Sequence, residues 1–120
     1  MSYVDGFVIP VAKDKVDEYQ RISKIAGEVW KENGALDYKE CLLDEAGYDG
    51  LRAFTDVADA GDGETVIFAF IVYASKEERD AINEKVMADP RIAGFAPESM
   101  PFDSKRMAFA GFKTIVEWDK

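Results

Sequence analysis

The sequence predicts one α+β domain of strand–helix–strand–strand–helix–strand order, with its strands in a single antiparallel sheet and two helices on one face. Three observations carry that expectation. Apolar and aromatic residues crowd four segments that lack a helical period, two segments between them repeat apolar residues at steps of three and four, and turn-forming Gly, Asp and Pro separate the six. At 120 residues the chain has the size of one domain, 1–120, able to bury roughly two thirds of its unfolded surface in one core.

Tyr3 to Val11 is rich in Val, Ile, Phe and Tyr and reads as a first strand ending near Pro10. Lys13 to Asn33 follows with Val16, Tyr19, Ile22, Ala26, Val29 and Trp30 on one helical stripe, Asp14 as N-cap and Gly34 just past the end. Leu36 to Leu43 alternates as a second strand, and the Gly- and Asp-rich stretch Asp44 to Gly50 turns the chain. Leu51 to Ala60 fits neither period. Gly61 to Gly63 punctuates the chain before a third strand, Glu64 to Tyr73, placed to form a long hairpin with the second.

Ser75 to Glu78 has the Ser-x-x-Glu form of a capping box, in which each side chain satisfies the other's free backbone N–H. It opens a second helix reaching about Ala88, which Asp89-Pro90 stops. A helical turn over Arg91 to Phe95, a Pro-containing loop and a last strand, Lys105 to Glu117, complete the order. That order, βαββαβ, is the ferredoxin-like split βαβ unit.

Charge and composition exclude several functions. Lys and Arg total 15 against 24 Asp and Glu, a formal charge of -9, so no nucleic acid and no anionic membrane surface is expected as a partner. The longest apolar run, Val66 to Ala74, is far short of the ~20 residues of a membrane helix. One cysteine, Cys41, forms no internal disulfide, and the opening residues lack the basic and apolar regions of a signal peptide, which together predict a cytoplasmic location. With no histidine in the chain, Cys–His and Ser–His catalysis are excluded, and no metal site is expected because the acidic loops lack EF-hand spacing. No Gly-rich phosphate loop joins a strand to a helix, and no cofactor is expected.

Alternation sorts the strand residues into two sets. Val4, Gly6, Val8, Ile67, Ala69, Ile71, Ala108 and Ala110 are small or aliphatic and suit a helix-covered face; Tyr3, Phe7, Phe68, Phe70, Met107 and Phe109 are large and mostly aromatic. An aromatic face of that extent exceeds what monomers leave in water. The expectation is therefore a homodimer packed sheet against sheet, with room for a small-molecule ligand in a cavity between the sheets.

The blocks "YVDGFV" (Tyr3 to Val8), "ERDAINEKVMADPRI" (Glu78 to Ile92) and "MPFDSKRMAFAGF" (Met100 to Phe112) resemble the YbaA-like family of bacterial proteins of unknown function. The resemblance covers nearly the whole chain. It implies a dimeric α/β-barrel of ferredoxin-like subunits and brings no established activity or catalytic residues.

The candidate ligand-binding residues are Tyr3, Asp5, Asp103, Lys105 and Arg106. Asp5 shares the aromatic face with Tyr3 and Phe7, where a carboxylate is either a proton carrier facing the cavity or hydrogen-bonded to a tyrosine at the strand's start. Asp103 suits a turn stabilised through its own backbone, and Lys105 and Arg106 either guard an edge strand or clamp an anion in the cavity. The reading that follows is a cytoplasmic homodimer binding a small, partly apolar metabolite. A cofactor-independent enzyme of the small monooxygenase or isomerase type, and a structural protein without a ligand, are the alternatives.

Overall fold

The computed structural model describes residues 1–118. It contains β1 (Tyr3–Ala12), α1 (Val16–Glu32), β2 (Asp37–Leu42), α2 (Phe54–Val57), β3 (Glu64–Tyr73), α3 (Lys76–Ala88), α4 (Pro90–Ala93) and β4 (Ala108–Lys113). All three strand pairings are antiparallel and the sheet order is β2-β3-β1-β4, the ferredoxin-like arrangement.

Local chemistry accounts for the boundaries. The Ser75 side chain accepts the Glu78 N–H at 3.1 Å and caps α3, whereas α1 opens through a 3-10 turn, Lys13–Lys15, with no side-chain cap. Asp14 therefore does not serve as the N-cap, because it falls inside that turn rather than ahead of the helix. Gly34, at φ 111°, supplies the left-handed step that turns the chain after α1 toward β2. At the other end Ser104–Arg106 form a 3-10 turn, so β4 starts at Ala108 rather than at Lys105. The β1–β4 ladder ends at the Val8–Ala108 pair, and Pro10, which has no N–H to give, falls just beyond it.

Register decides what each face carries. Residues directly opposite in an antiparallel pair share a face, and Asp5 lies opposite Ile71 and Gly111, Phe7 opposite Ala69 and Phe109, and Ile9 opposite Ile67. This is the helix-covered face. Its core has two buried clusters, Val29, Ala35, Ile71, Tyr73, Ile82 and Val86 at one end and Ile9, Val11, Tyr19, Ile67 and Ala69 at the other, with Phe7 packed against both.

The expected aromatic face is thus corrected. Phe7 and Phe109 pack together, ring centroids 5.1 Å apart, under the helices, while Phe68 and Phe70 point to the opposite side. A shift of one residue in register exchanges the faces of a whole strand, and the sorting of β3 against β1 carried that error. The open face instead holds Val4, Val8, Phe70, Val72 and Phe112, with Phe68 at one end. There Phe54 of α2 rests edge-on against Phe68, centroids 5.9 Å apart, so the long β2–β3 connection covers only that corner.

Candidate functional site

The space between helices and sheet is incompletely filled. A cavity of about 380 Å3 lies over Phe7, Ile9, Ala69 and Ile71 of the sheet and under Ile22, Ala26 and Trp30 of α1, closed at one end by Met100, Phe102 and Met107. Met87 and Phe109, the lining side chains left largely exposed, mark its mouth. Most of the wall is apolar, and its polar groups fall into two hydrogen-bonded sets.

The first set is built on Asp5, which alternation places on the helix-covered face and which is only 1% exposed. Arg79 of α3 donates to Asp5 Oδ1 at 2.7 Å and the Tyr73 hydroxyl donates to Oδ2 at 3.1 Å. The guanidinium also binds Asp80 at 2.8 Å and lies 5.0 Å above the Tyr3 ring. Next to it, Trp30 Nε1 donates to Asn83 Oδ1 at 3.0 Å, with the Tyr73 hydroxyl 3.3 Å from the same oxygen. Burial, reinforced by the Asp5 charge, raises Tyr73 well above the ordinary phenol range.

The second set is Glu40, which receives the Tyr19 hydroxyl at 2.7 Å and the Tyr38 hydroxyl at 2.6 Å. Burial first, then the Glu40 charge, raises both phenols, so they remain neutral donors and the carboxylate keeps its charge-assisted bonds. Gly27 permits this packing: a Cβ there would meet the Tyr38 ring at 3.0 Å. Tyr19, Ser23, Tyr38 and Glu40 line both the cavity and an outer groove of about 810 Å3 between α1 and β2. The Tyr19–Glu40–Tyr38 bridge is thus the partition between the two spaces.

The structure separates the residues that sequence reasoning grouped as one site. Tyr3 and Asp5 sit with Arg79 at the start of β1, and Asp5 faces the helices rather than a second sheet. Asp103 and Arg106 line a different hollow at the far end, beside Ala12, which is seven residues from Asp5, or roughly 23 Å at strand spacing. Asp103 accepts the Lys105 N–H at 3.0 Å, and Lys105 is exposed. Arg106 forks onto both oxygens of Glu64, at 2.8 and 2.9 Å, and donates to the Asp59 carbonyl at 2.8 Å, which ties the end of the β2–β3 connection to the entry of β4. Among the described residues no group of three or more His, Cys, Asp or Glu side chains is arranged to hold a metal ion.

Arg79, Asn83, Tyr19, Tyr38 and Glu40 were not singled out from the sequence. A signal existed for some of them. Arg79, Ile82, Asn83 and Val86 repeat at three and four along α3, which marks one inward stripe, and Glu40 alternates with Tyr38 and Leu42 on β2.

A four-stranded antiparallel sheet roofed on one face by α1 and α3, with an aromatic cavity between the layers, defines a ferredoxin-like α+β domain. The chain belongs to the family described as protein of unknown function DUF1428, whose family model matches residues 2–104. It is 44% identical over 117 residues to the uncharacterized protein YbaA of Escherichia coli K12, covering 98% of this chain and 99% of that one; YbaA of Shigella flexneri matches to the same extent. Among solved structures, a putative antibiotic biosynthesis monooxygenase from Nitrosomonas europaea superposes with a TM-score of 0.60 at 13% identity, covering 95% of this chain and 90% of that one. A NIPSNAP family protein from Agrobacterium tumefaciens does so with 0.60 at 15% identity, covering 94% and 87%. At such identities these likenesses describe the fold.

Two measurements probe these contacts. Arg79→Met leaves Asp5 buried without its cation and is expected to cost about 3–5 kcal/mol in urea denaturation; a loss within error would mean that Asp5 reaches solvent. The bonds from Arg106, then the Gly61 N–H, hold the Glu64 carboxyl down to about 2 from its ordinary 4.5. The stability from a depressed carboxylate is present above its ordinary value and is lost as pH falls through the folded one. Carbon-detected NMR should therefore find Glu64 titrating near pH 2, and Arg106→Met should raise it toward the ordinary range, with the Gly61 bond left in place.

Proposed function

We propose that this protein is a cytoplasmic, homodimeric small-molecule binder that takes one partly apolar molecule into the cavity between helices and sheet of each subunit. The observation that carries the reading is the cavity. At about 380 Å3, with an apolar wall and a few fixed polar groups, it has the size and composition of a ligand pocket, and it stands where a purely structural protein would have packed its core. The ligand space lies under the helices and not between two sheets, because the register turns Phe7 and Phe109 toward α1 and α3.

The dimer is supported by the open face. Phe112 is 56% exposed and Phe68 42%, and they lie with Val4, Val8, Phe70 and Val72 on a surface that α2 covers at one corner only. A second copy turned about a two-fold axis buries such a face against its own kind. The cytoplasmic reading is supported by the single free, exposed Cys41.

One observation favours the alternative of a cofactor-independent monooxygenase or isomerase: Glu40 puts a carboxylate on the cavity wall, within reach of a ligand's proton. That reading needs a turned-over product, which binding alone does not.

Three of the four methionines, Met87, Met100 and Met107, line the cavity and Met1 does not. With methyl-labelled methionine, titration with ethylbenzene should shift the three cavity methyl signals and leave Met1 in place. No shift at saturating ligand would overturn the binding reading. Sedimentation should show a dimer at micromolar concentration and a folded monomer for Phe112→Asp, since an unpaired charge in the interface costs several kcal/mol; a native monomer refutes the assembly.

A further inference from the structure

The reading of the cavity as a ligand site can be taken further by asking which of its polar groups still has a bond to offer. Asp5 is nearly sealed and its two oxygens already receive Arg79 and Tyr73. Each Glu40 oxygen receives a tyrosine hydroxyl, and the Trp30 N–H is given to Asn83. Lys39 borders the cavity, but its ammonium is held by Asp37 on the open face, 6.0 Å from the Phe70 ring.

Asn83 is different. Its Oδ1 accepts the Trp30 N–H, which orients the amide, while among the described residues its Nδ2 meets no acceptor and no buried side-chain nitrogen or oxygen lacks a partner, so Nδ2 is not sealed in protein. A fixed, cavity-lining donor is thus left open, in a space whose charged lining groups facing it, Asp5 and Glu40, are both carboxylates.

Resting on the binding reading above, we infer that the ligand is not an anion and carries a carbonyl-type oxygen that accepts from Asn83 Nδ2, on an apolar frame packed among Phe7, Trp30, Phe102 and the three methionines. An acid is disfavoured, because an anion there meets two carboxylates and no unpaired cation. Asn83 then sets specificity, since an analogue without the acceptor leaves its amide unpaired.

The test uses the methyl-labelled full chain and three probes of similar shape: acetophenone, ethylbenzene and benzoate. In the native protein acetophenone should bind at least about fiftyfold more tightly than benzoate, as burying an unpaired charge requires. Asn83→Asp keeps the oxygen that Trp30 needs and removes the donor. It should lower the ratio of acetophenone to ethylbenzene affinity by about fivefold, the worth of one neutral hydrogen bond. Asn83→Leu, checked for native methyl dispersion, should lower it similarly. Benzoate binding within fivefold of acetophenone, or a ratio unchanged in both variants, refutes the inference while leaving the cavity a binding site. If no probe, ethylbenzene included, moves the three methyl signals, the binding reading fails with it.

Discussion

A carboxylate buried in the middle of the sheet constrains everything around it. Asp5 stands on a central strand at 1% exposure, where an ion without partners costs several kcal/mol, and Arg79 answers it from the first turns of α3. Arg79 lies one helical turn past the Ser75 cap, so the ion pair and the cap together fix where α3 begins and how it is rotated on the sheet. Tyr73 extends the contact to β3 and, through Asn83, to Trp30 of α1. Both long helices and both central strands therefore meet at one polar knot, which makes that end of the cavity rigid.

The other end is held by a different device. Glu40, between two neutral phenols, joins β2 to α1 through short hydrogen bonds and closes the cavity from the groove outside. Between knot and bridge, α1 and α3 span the sheet without filling it. The cavity is thus a consequence of two polar anchors that set the helix height independently of the apolar side chains beneath. On the open face, among the described residues, Phe54 of α2 reaches over to Phe68 at one corner.

Much of the fold was legible from the residues. The third strand, Glu64–Tyr73, and the end of α3 at Ala88 follow directly from β-branched runs, the Ser75 cap and Pro90. What the sequence alone left open was register. Phe68 and Phe7 both alternate cleanly, but alternation within a strand does not say which neighbour a residue faces, and a choice of β1–β3 pairing was needed to see that Phe7 shares a face with Ala69. Asp5 was conspicuous as a carboxylate among aromatics, whereas Arg79 is one charge among many in a strongly charged helix, and only its inward stripe separates it from Lys76 or Lys85. Arg106 was conspicuous for its neighbours, yet its fork is filled by Glu64, a partner 42 positions away that no local pattern indicates.

The proline just past the last β1–β4 pair has a consequence for how the sheet can grow. Beyond Val8 one side of β1 is left without a strand, and a bare edge of that kind is where a foreign chain would add by backbone pairing. Pro10 removes the donor from that stretch, and Pro97 and Pro101 line the same hollow beside it, so three of the chain's four prolines gather at one corner. Strand addition is thereby directed to the outer edges of β2 and β4, which keep their N–H groups, and the protein's susceptibility to ordered aggregation is confined to two six-residue strands.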